Sequence, residues 1–297
     1  MALFASAIFY IFLFGIYIAN ADISLGPVFN CLAPIFKAHA SKIVKKRTFL
    51  SHGNVCVYSI HAQLYLERLP LIEAAFSSLN ITDKRMYLVN SFDARELTWS
   101  VLNCLHTETP ASLKLISESF SKEMEKFEGI AKARFIMQSC LLKHLHAMYN
   151  FIHHTNCEIS IILEDDAVLH NYTPSVIQDM LLLSKDRSTF FNLGTCIDGK
   201  NFATCFNMVN QHFCRSDPKS ATSCTTAYGY NKLYALENLN KMTAERHLKS
   251  PYIDERVVPA DHWLNRVNSD FNVNVYSMPN AMAQPAKVTQ KNDANYT

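Results

Sequence analysis

The chain predicts an α/β fold, a mostly parallel sheet with helices on both faces. Three observations carry that prediction. Short apolar runs rich in β-branched residues (Val55–Ile60, Met86–Val89, Ile159–Leu163) alternate with stretches whose apolar residues recur at helical spacing. A strand–helix–strand order of this kind closes a parallel pair through a right-handed crossover. And 49% of the 297 residues are hydrophobic, enough to cover a sheet on two sides.

Residues 22–53 read as a stem leading to a domain at 54–284, with a polar tail at 285–297. Val55–Ile60 is the first strand. Leu66, Leu69, Ile72, Ala75, Phe76 and Leu79 then share one helical face, and Met86–Val89 is the second strand. Leu97–Phe127 is mixed, with a helix near Ala111–Glu125. Ile130–His153 forms a long helix whose apolar face runs Ile130, Met137, Cys140, Leu141, His144, Met148 and Ile152. After the acid-ended strand come a helix over Thr173–Ser184, with Pro174 in its first turn, and a strand at Phe190–Gly194. A cysteine-rich insertion spans 196–224. Ala227–Tyr230 is a strand and Tyr234–Met242 a helix. Asp261–Val267 begins another helix, and Val273–Tyr276 alternates like a final strand.

The residues that bear chemistry sit where Ile159–Leu163 ends in Glu164, Asp165 and Asp166. Three adjacent carboxylates repel one another unless water or a cation relieves them. In an extended chain Glu164 and Asp166 point one way and Asp165 the other. Two carboxylates on one side make an oxygen site for a hard ion, Mn²⁺ or Mg²⁺. The competing interpretation is a solvated acidic turn. Ligands of open α/β sheets bind outside the carboxyl ends of strands, which is where these acids lie.

Composition bounds the rest. The net charge is +2 with no basic stripe, so nucleic acid is not an indicated partner. Glycine occurs only seven times and forms no phosphate-cradling loop, leaving metal, side chains or helix N-termini to hold any phosphate. Ala2–Ala19 carries no charge and precedes an Ala19-Asn20-Ala21 pattern, as in a signal peptide or an uncleaved anchor. Residues 1–21 therefore direct the chain to the secretory pathway (ER or Golgi lumen) or to secretion, with an N-terminal membrane anchor as the alternative. Asn-x-Ser/Thr acceptors at Asn80, Asn171 and Asn295 agree with that location. So do nine cysteines, four of which (Cys196, Cys205, Cys214, Cys224) crowd one region and predict one or two disulfides; zinc there is the rival. Cys56 and Cys140 fall in apolar patterns and read as buried thiols.

The order of these motifs resembles the family-25 glycosyltransferases, which include lipopolysaccharide sugar transferases and procollagen galactosyltransferases. The carrying residues are Val57-Tyr58-Ser59-Ile60 with Glu67-Arg68, the helix Cys140-Leu141-Leu142-Lys143-His144-Leu145, and Leu163-Glu164-Asp165-Asp166-Ala167. Further on come Ala227-Tyr228-Gly229-Tyr230, Pro259-Ala260-Asp261 and Gln284-Pro285. Lys143 stands where that family usually has Ser, and the 196–224 insertion is not part of its pattern. The resemblance covers about Val55 to Gln284.

What the resemblance implies is a GT-A-like fold, a nucleotide-sugar donor, frequently UDP-galactose, Mn²⁺ and inversion at the anomeric carbon. Glu164 and Asp166 then hold the metal. Ile60, Arg68, Asp165, Tyr230 and Trp263 are the donor-binding candidates, Trp263 by stacking on a sugar face. Asp261 is the candidate base; its structural alternative is a cap for the helix that follows. Arg68 has the alternative of an exposed helix charge, His144 that of a core histidine bonded to a backbone carbonyl, and Tyr230 that of core packing. His262 is a weaker candidate ligand. The acceptor class is a glycan or protein hydroxyl. The rival functions are a non-catalytic glycan-binding protein on the same sheet and a metal-dependent hydrolase.

Overall fold

A computed structural model describes residues 26–45, 55–63, 65–79, 85–97, 99–105, 130–170, 174–194, 205–218, 225–243, 247–248 and 260–286. Among the described residues the helices are α1 (Pro27–Ala38), α2 (Leu69–Ser78), α3 (Trp99–Leu105), α4 (Ile130–His154), α5 (Pro174–Leu183), α6 (Lys232–Lys241) and α7 (Ala260–Asp270). The strands are β1 (Ile43–Lys45), β2 (Val55–Ile60), β3 (Met86–Val89), β4 (Ile159–Glu164), β5 (Ala167–Leu169), β6 (Thr189–Asn192), β7 (Cys205–Met208), β8 (Cys214–Ser216), β9 (Ala227–Asn231), β10 (Asn274–Ser277) and β11 (Ala283–Pro285).

The main sheet has the order β1-β3-β2-β4-β9-β6-β10-β8-β7. Strands β3, β2 and β4 are parallel neighbours, as are β6 and β10, while β9 runs antiparallel between the two sets. With β7 added, six of the nine strands point one way, and only β1, β8 and β9 oppose them. The predicted α/β architecture with a mostly parallel sheet is therefore present, with antiparallel pairing towards both edges and one opposed strand in the middle.

Alternation along each strand divides the interior into two cores. Tyr58, Ile162, Tyr228, Phe190 and Val275 face one side, where α1, α3, α4, α6 and α7 pack. Val57, Ile161, Phe191 and Tyr276 face the other, covered by α2 and α5. All six residues of β2 are buried, which explains its uninterrupted apolar character. Helix α6 starts on a side-chain cap: the Tyr234 amide donates to Asn231 Oδ1 at 3.0 Å.

Several boundaries differ from the sequence-based ones. The segment read as a stem belongs in part to the domain. Val28, Phe29, Leu32 and Phe36 recur on one face of α1 and are buried in the larger core, and β1 extends the sheet. The docking is tight enough to require glycine: the Gly26 amide donates to the Leu239 carbonyl at 2.6 Å, and a Cβ there would lie 2.8 Å from the Asn240 oxygen. Within the cysteine-rich insertion β7 and β8 form a hairpin on the sheet edge. The tail begins later than the polar composition suggests, because β11 pairs with β5. The helix expected at Ala111–Glu125 lies outside the described residues, as do Asn80, Asn171 and Asn295.

Cys205 and Cys214 are joined, in agreement with a braced insertion, and Cys196 and Cys224 lie outside the described residues. Cys56 is not a free thiol but pairs with Cys157, and Cys31 pairs with Cys104. Cys140 is free.

The expected secretory location and membrane anchor are corrected. Among the described residues no helix is long and apolar enough to cross a membrane. The apolar segment Ala2–Ala19 lies outside them, and the three disulfides fit secretion only weakly.

The Cys56–Cys157 bridge spans 101 residues, so it removes much freedom from the unfolded chain. The double variant Cys56→Ala/Cys157→Ala should lose about 3 kcal/mol of stability. A lowered denaturant midpoint checks this, with a steeper slope because the unfolded chain without the bridge exposes more surface; an unchanged midpoint contradicts it.

Candidate functional site

A cavity of about 250 Å³ opens at the carboxyl ends of β3, β2 and β4. Three segments build its walls. Ile60 ends β2, and the loop after it contributes Ala62, Tyr65 and Arg68. Asp93 and Ala94 follow β3. Ile136, Ser139, Cys140 and Lys143 lie on one face of α4, at the spacing that aligns side chains along a helix. Glu164, Asp165 and Asp166 complete the lining at the end of β4.

Strand alternation does not continue through all three acids. β4 ends at Glu164, and Asp165–Asp166 turn before β5 begins. All three therefore meet the same cavity, by different routes. Asp165 is buried and heavily engaged. Its Oδ2 accepts from the Ala62 amide and lies against His61 Nδ1, each at 3.0 Å, and its Oδ1 accepts from Arg68 Nη1 at 2.7 Å. Burial alone would raise this carboxyl, but the His61 hydrogen bond and the Arg68 guanidinium outweigh it and hold it below the ordinary carboxylate range. Arg68 also lies 4.0 Å from Asp166 and 4.2 Å from the centre of the Tyr65 ring.

Glu164 is in the opposite state. Burial and then the Asp166 charge push its carboxyl up to about 8, against a lowering hydrogen bond from the Thr225 hydroxyl to Oε1. Negative charge on Asp165 and Asp261 adds to the rise. Glu164 thus holds its proton at neutral pH when nothing positive faces it, and a cation beside Glu164 and Asp166 would reverse that balance. The donor set fits a hard divalent ion: two carboxylates on one cavity, with the third tied off by Arg68.

A second buried ion pair supports the floor. Lys143 is 2% exposed, donates to the His61 carbonyl at 2.6 Å, and pairs with Asp93 Oδ1. Asp93 Oδ2 accepts from the Gln63 amide at 2.9 Å. The loop after β2 is thereby clamped from both sides, by Asp165 and by Lys143 with Asp93.

The sequence-predicted candidates separate into groups. Ile60, Arg68, Glu164, Asp165 and Asp166 converge on the cavity. Asp261 lies in the first turn of α7, half-buried, near enough for its charge to act on Glu164 and Cys140. Two donor-binding candidates are corrected by burial. Trp263 is 0% exposed, with its indole nitrogen donating to Met242 Sδ at 3.0 Å, so neither ring face is open to a sugar. Tyr230 is likewise 0% exposed and stacks in the core against Tyr234. His144 is buried, as a core histidine would be, but its Nδ1 contacts the Tyr228 hydroxyl at 2.7 Å rather than a carbonyl. The side chain of His262 lies outside the described residues. Sequence reasoning missed His61, Tyr65, Asp93 and the inward role of Lys143. The available signals were a charge inside an apolar helix face and an acid four residues beyond the second strand.

No protein-family model and no curated protein matches the chain. Solved structures match at low similarity. The mannose-1-phosphate geranyltransferase of Thermus thermophilus is 9% identical over 77% of this chain and 74% of that one, with a TM-score of 0.36. The nucleoside-diphosphate-sugar pyrophosphorylase of Vibrio cholerae is 14% identical over 88% and 80%, with a TM-score of 0.32. A UDP-glucose pyrophosphorylase complexed with UDP-glucose is 10% identical over 82% and 98%, with a TM-score of 0.33. Likenesses this distant carry no functional assignment.

Two outcomes follow from the electrostatics. Folding raises the Glu164 pKa from 4.5 to about 8, so the folded state binds an extra proton within that window. The stability given by the neutral form is full below the window and is lost as pH rises through it. In metal-free protein Tm should therefore fall across this range, and Glu164→Gln should flatten that part of the profile. Separately, Lys143→Met leaves Asp93 buried without its counter-charge and should cost about 3 kcal/mol in denaturant unfolding.

Proposed function

We propose that the chain is a metal-assisted glycosyltransferase that moves a sugar, galactose from UDP-galactose as the first candidate, onto a hydroxyl of a glycan or protein. The supporting observation is the convergence of Glu164, Asp165 and Asp166 with Arg68 on one cavity at the carboxyl ends of adjacent parallel strands. At about 250 Å³ the cavity is smaller than the roughly 300–1,000 Å³ of a cleft enclosing a drug-sized ligand, so it suits the sugar or the diphosphate portion of such a donor.

Glu164 and Asp166 would hold Mn²⁺ or Mg²⁺. Such an ion, when bound, neutralises the charge that develops on the leaving diphosphate. The chain's own residues do the rest. Asp165 fixes Arg68 by hydrogen bond, and the anchored guanidinium presents positive charge to the same cavity. Ile60, Ala62 and Ile136 supply an apolar wall that limits water. Asp261, in the first turn of α7, would act as the base: its carboxylate takes the proton of the acceptor hydroxyl as the new bond to the anomeric carbon forms and the bond to the diphosphate breaks. A carboxylate is suited to this if it lies on the sugar face opposite the leaving group, the condition for inversion.

Asp166→Ala should abolish Mn²⁺-dependent release of nucleoside diphosphate from a nucleotide-sugar panel, with the far-ultraviolet circular dichroism spectrum unchanged. Retained turnover in that variant refutes the metal pair. Asp261→Asn should bind donor normally and lose at least about 100-fold in transfer rate. Full transfer would leave Asp261 as a helix-start residue only.

A further inference from the structure

Beneath the cavity wall lie two side chains that the proposed transfer does not use, Cys140 and His144, beside one that it does, Glu164. Cys140 and His144 sit one turn apart on α4, at i and i+4, and face the end of β4. The Cys140 sulfur, a His144 ring nitrogen and a Glu164 carboxylate oxygen all lie within 4.8 Å of one another. His144 is 0% exposed, and its Nε2 is buried with no hydrogen-bond partner among the described residues. A buried ring nitrogen left unsatisfied costs free energy unless something outside the protein meets it.

We infer that Cys140, His144 and Glu164 form a binding site for a borderline divalent cation of the zinc type, distinct from the oxygen site of Glu164 with Asp166. The ligand chemistry differs between the two. Thiolate with imidazole favours zinc, whereas an all-oxygen pair favours manganese or magnesium. The surroundings match those of metal-bound histidine, whose second nitrogen is normally held by a hydrogen bond that sets the tautomer. Here His144 Nδ1 contacts the Tyr228 hydroxyl at 2.7 Å, which leaves Nε2 as the ring nitrogen available to a cation. The Thr225 hydroxyl holds Glu164 Oε1 in the same manner. Cys140 and Glu164 also line the cavity, so a fourth coordination position opens toward it. Three protein ligands with one open position is the pattern of a reactive zinc rather than a closed structural one. On binding, Cys140 and Glu164 each give a proton to solvent, and His144 binds as the neutral imidazole. The other described cysteines are held in disulfides.

The inference does not rest on the transfer reading, and its test contains no nucleotide sugar. The full chain, stripped with a chelator, is titrated with Co²⁺ and then with Zn²⁺ in competition with a zinc-binding dye. The expected result is one tight equivalent and a thiolate-to-cobalt charge-transfer band in the near ultraviolet. Cys140→Ser, nearly the same shape as the native side chain, should lose the band and weaken Zn²⁺ at least about 100-fold. Tyr228→Phe, which keeps the packing but removes the hydroxyl beside Nδ1, should weaken Zn²⁺ about 10-fold. Asp166→Ala should keep the band. Absence of a charge-transfer band in the native chain, or a band that survives Cys140→Ser, overturns the site. Loss of the band in Asp166→Ala would merge the two metal sets and overturn their separation. Failure of sugar transfer alone touches none of these readouts.

Discussion

The architecture of the cavity depends on one carboxylate. Asp165 carries hydrogen bonds from His61, Ala62 and Arg68, and so joins the turn after β4 to the loop after β2. Without it the two strand ends would still be parallel neighbours, but the loop that closes the cavity would keep only its clamp by Lys143 and Asp93. The interaction also sorts the acids. Because Asp165 is the acid that Arg68 neutralises directly, the remaining conflict is between Glu164 and Asp166, and Glu164 answers it by keeping its proton. The like-charge repulsion that made the triplet conspicuous is therefore only partly relieved within the protein.

Charge inside this fold is arranged in two tiers. The Asp165 group and the Lys143–Asp93 pair are satisfied internally and act as scaffold. Each takes a backbone amide of the β2 loop as an additional partner, at Ala62 and Gln63. Adding such hydrogen bonds is what makes a buried ion pair tolerable, since Coulomb attraction alone rarely offsets desolvation. The second tier, Glu164 with Asp166 on one side and with Cys140 and His144 on the other, is left under tension. Burial drives His144 down to about 3 and Cys140 upward, so both are neutral in the metal-free protein. Neutral ligands avoid the cost of burying charge, and when a cation arrives Cys140 and Glu164 give up their protons while His144 binds as the neutral imidazole.

Much of the sheet was legible because burial on two faces leaves a strong mark on short strands. Val55–Ile60 and Ile159–Leu163 could hardly have been anything else, and the acids at the end of β4 were visible as charge breaking an apolar run. Helix α4 was found with nearly its observed limits. What escaped detection was set by tertiary context. Helix α1 follows an apolar leader and contains Pro34, so its amphipathic face blends into its surroundings. Trp263 was read as a sugar platform and Tyr230 as a donor-binding residue with core packing as its alternative; aromatic rings bury large areas and most often fill cores, as both do here. Cys140 and His144 were placed correctly on one helix face. Their approach to Glu164 depends on how α4 crosses the sheet, which no local pattern encodes. The pairing of Cys56 with Cys157 was hidden for the same reason, since 101 residues separate two thiols in unremarkable apolar settings.

That bridge has a geometric consequence for the opposite end of the sheet. Strands β2 and β4 are matched residue for residue, from Val55 beside Ile159 to Ile60 beside Glu164. Cys56 and Cys157 rivet the pair near its amino end, and the cavity acids project from its far end. A ladder fastened at its foot cannot slide by a rung, so the offset between Ile60 and Glu164 is inherited from a covalent link at the other extreme of the two strands. The cleft's dimensions are in this sense gauged at the base of the molecule.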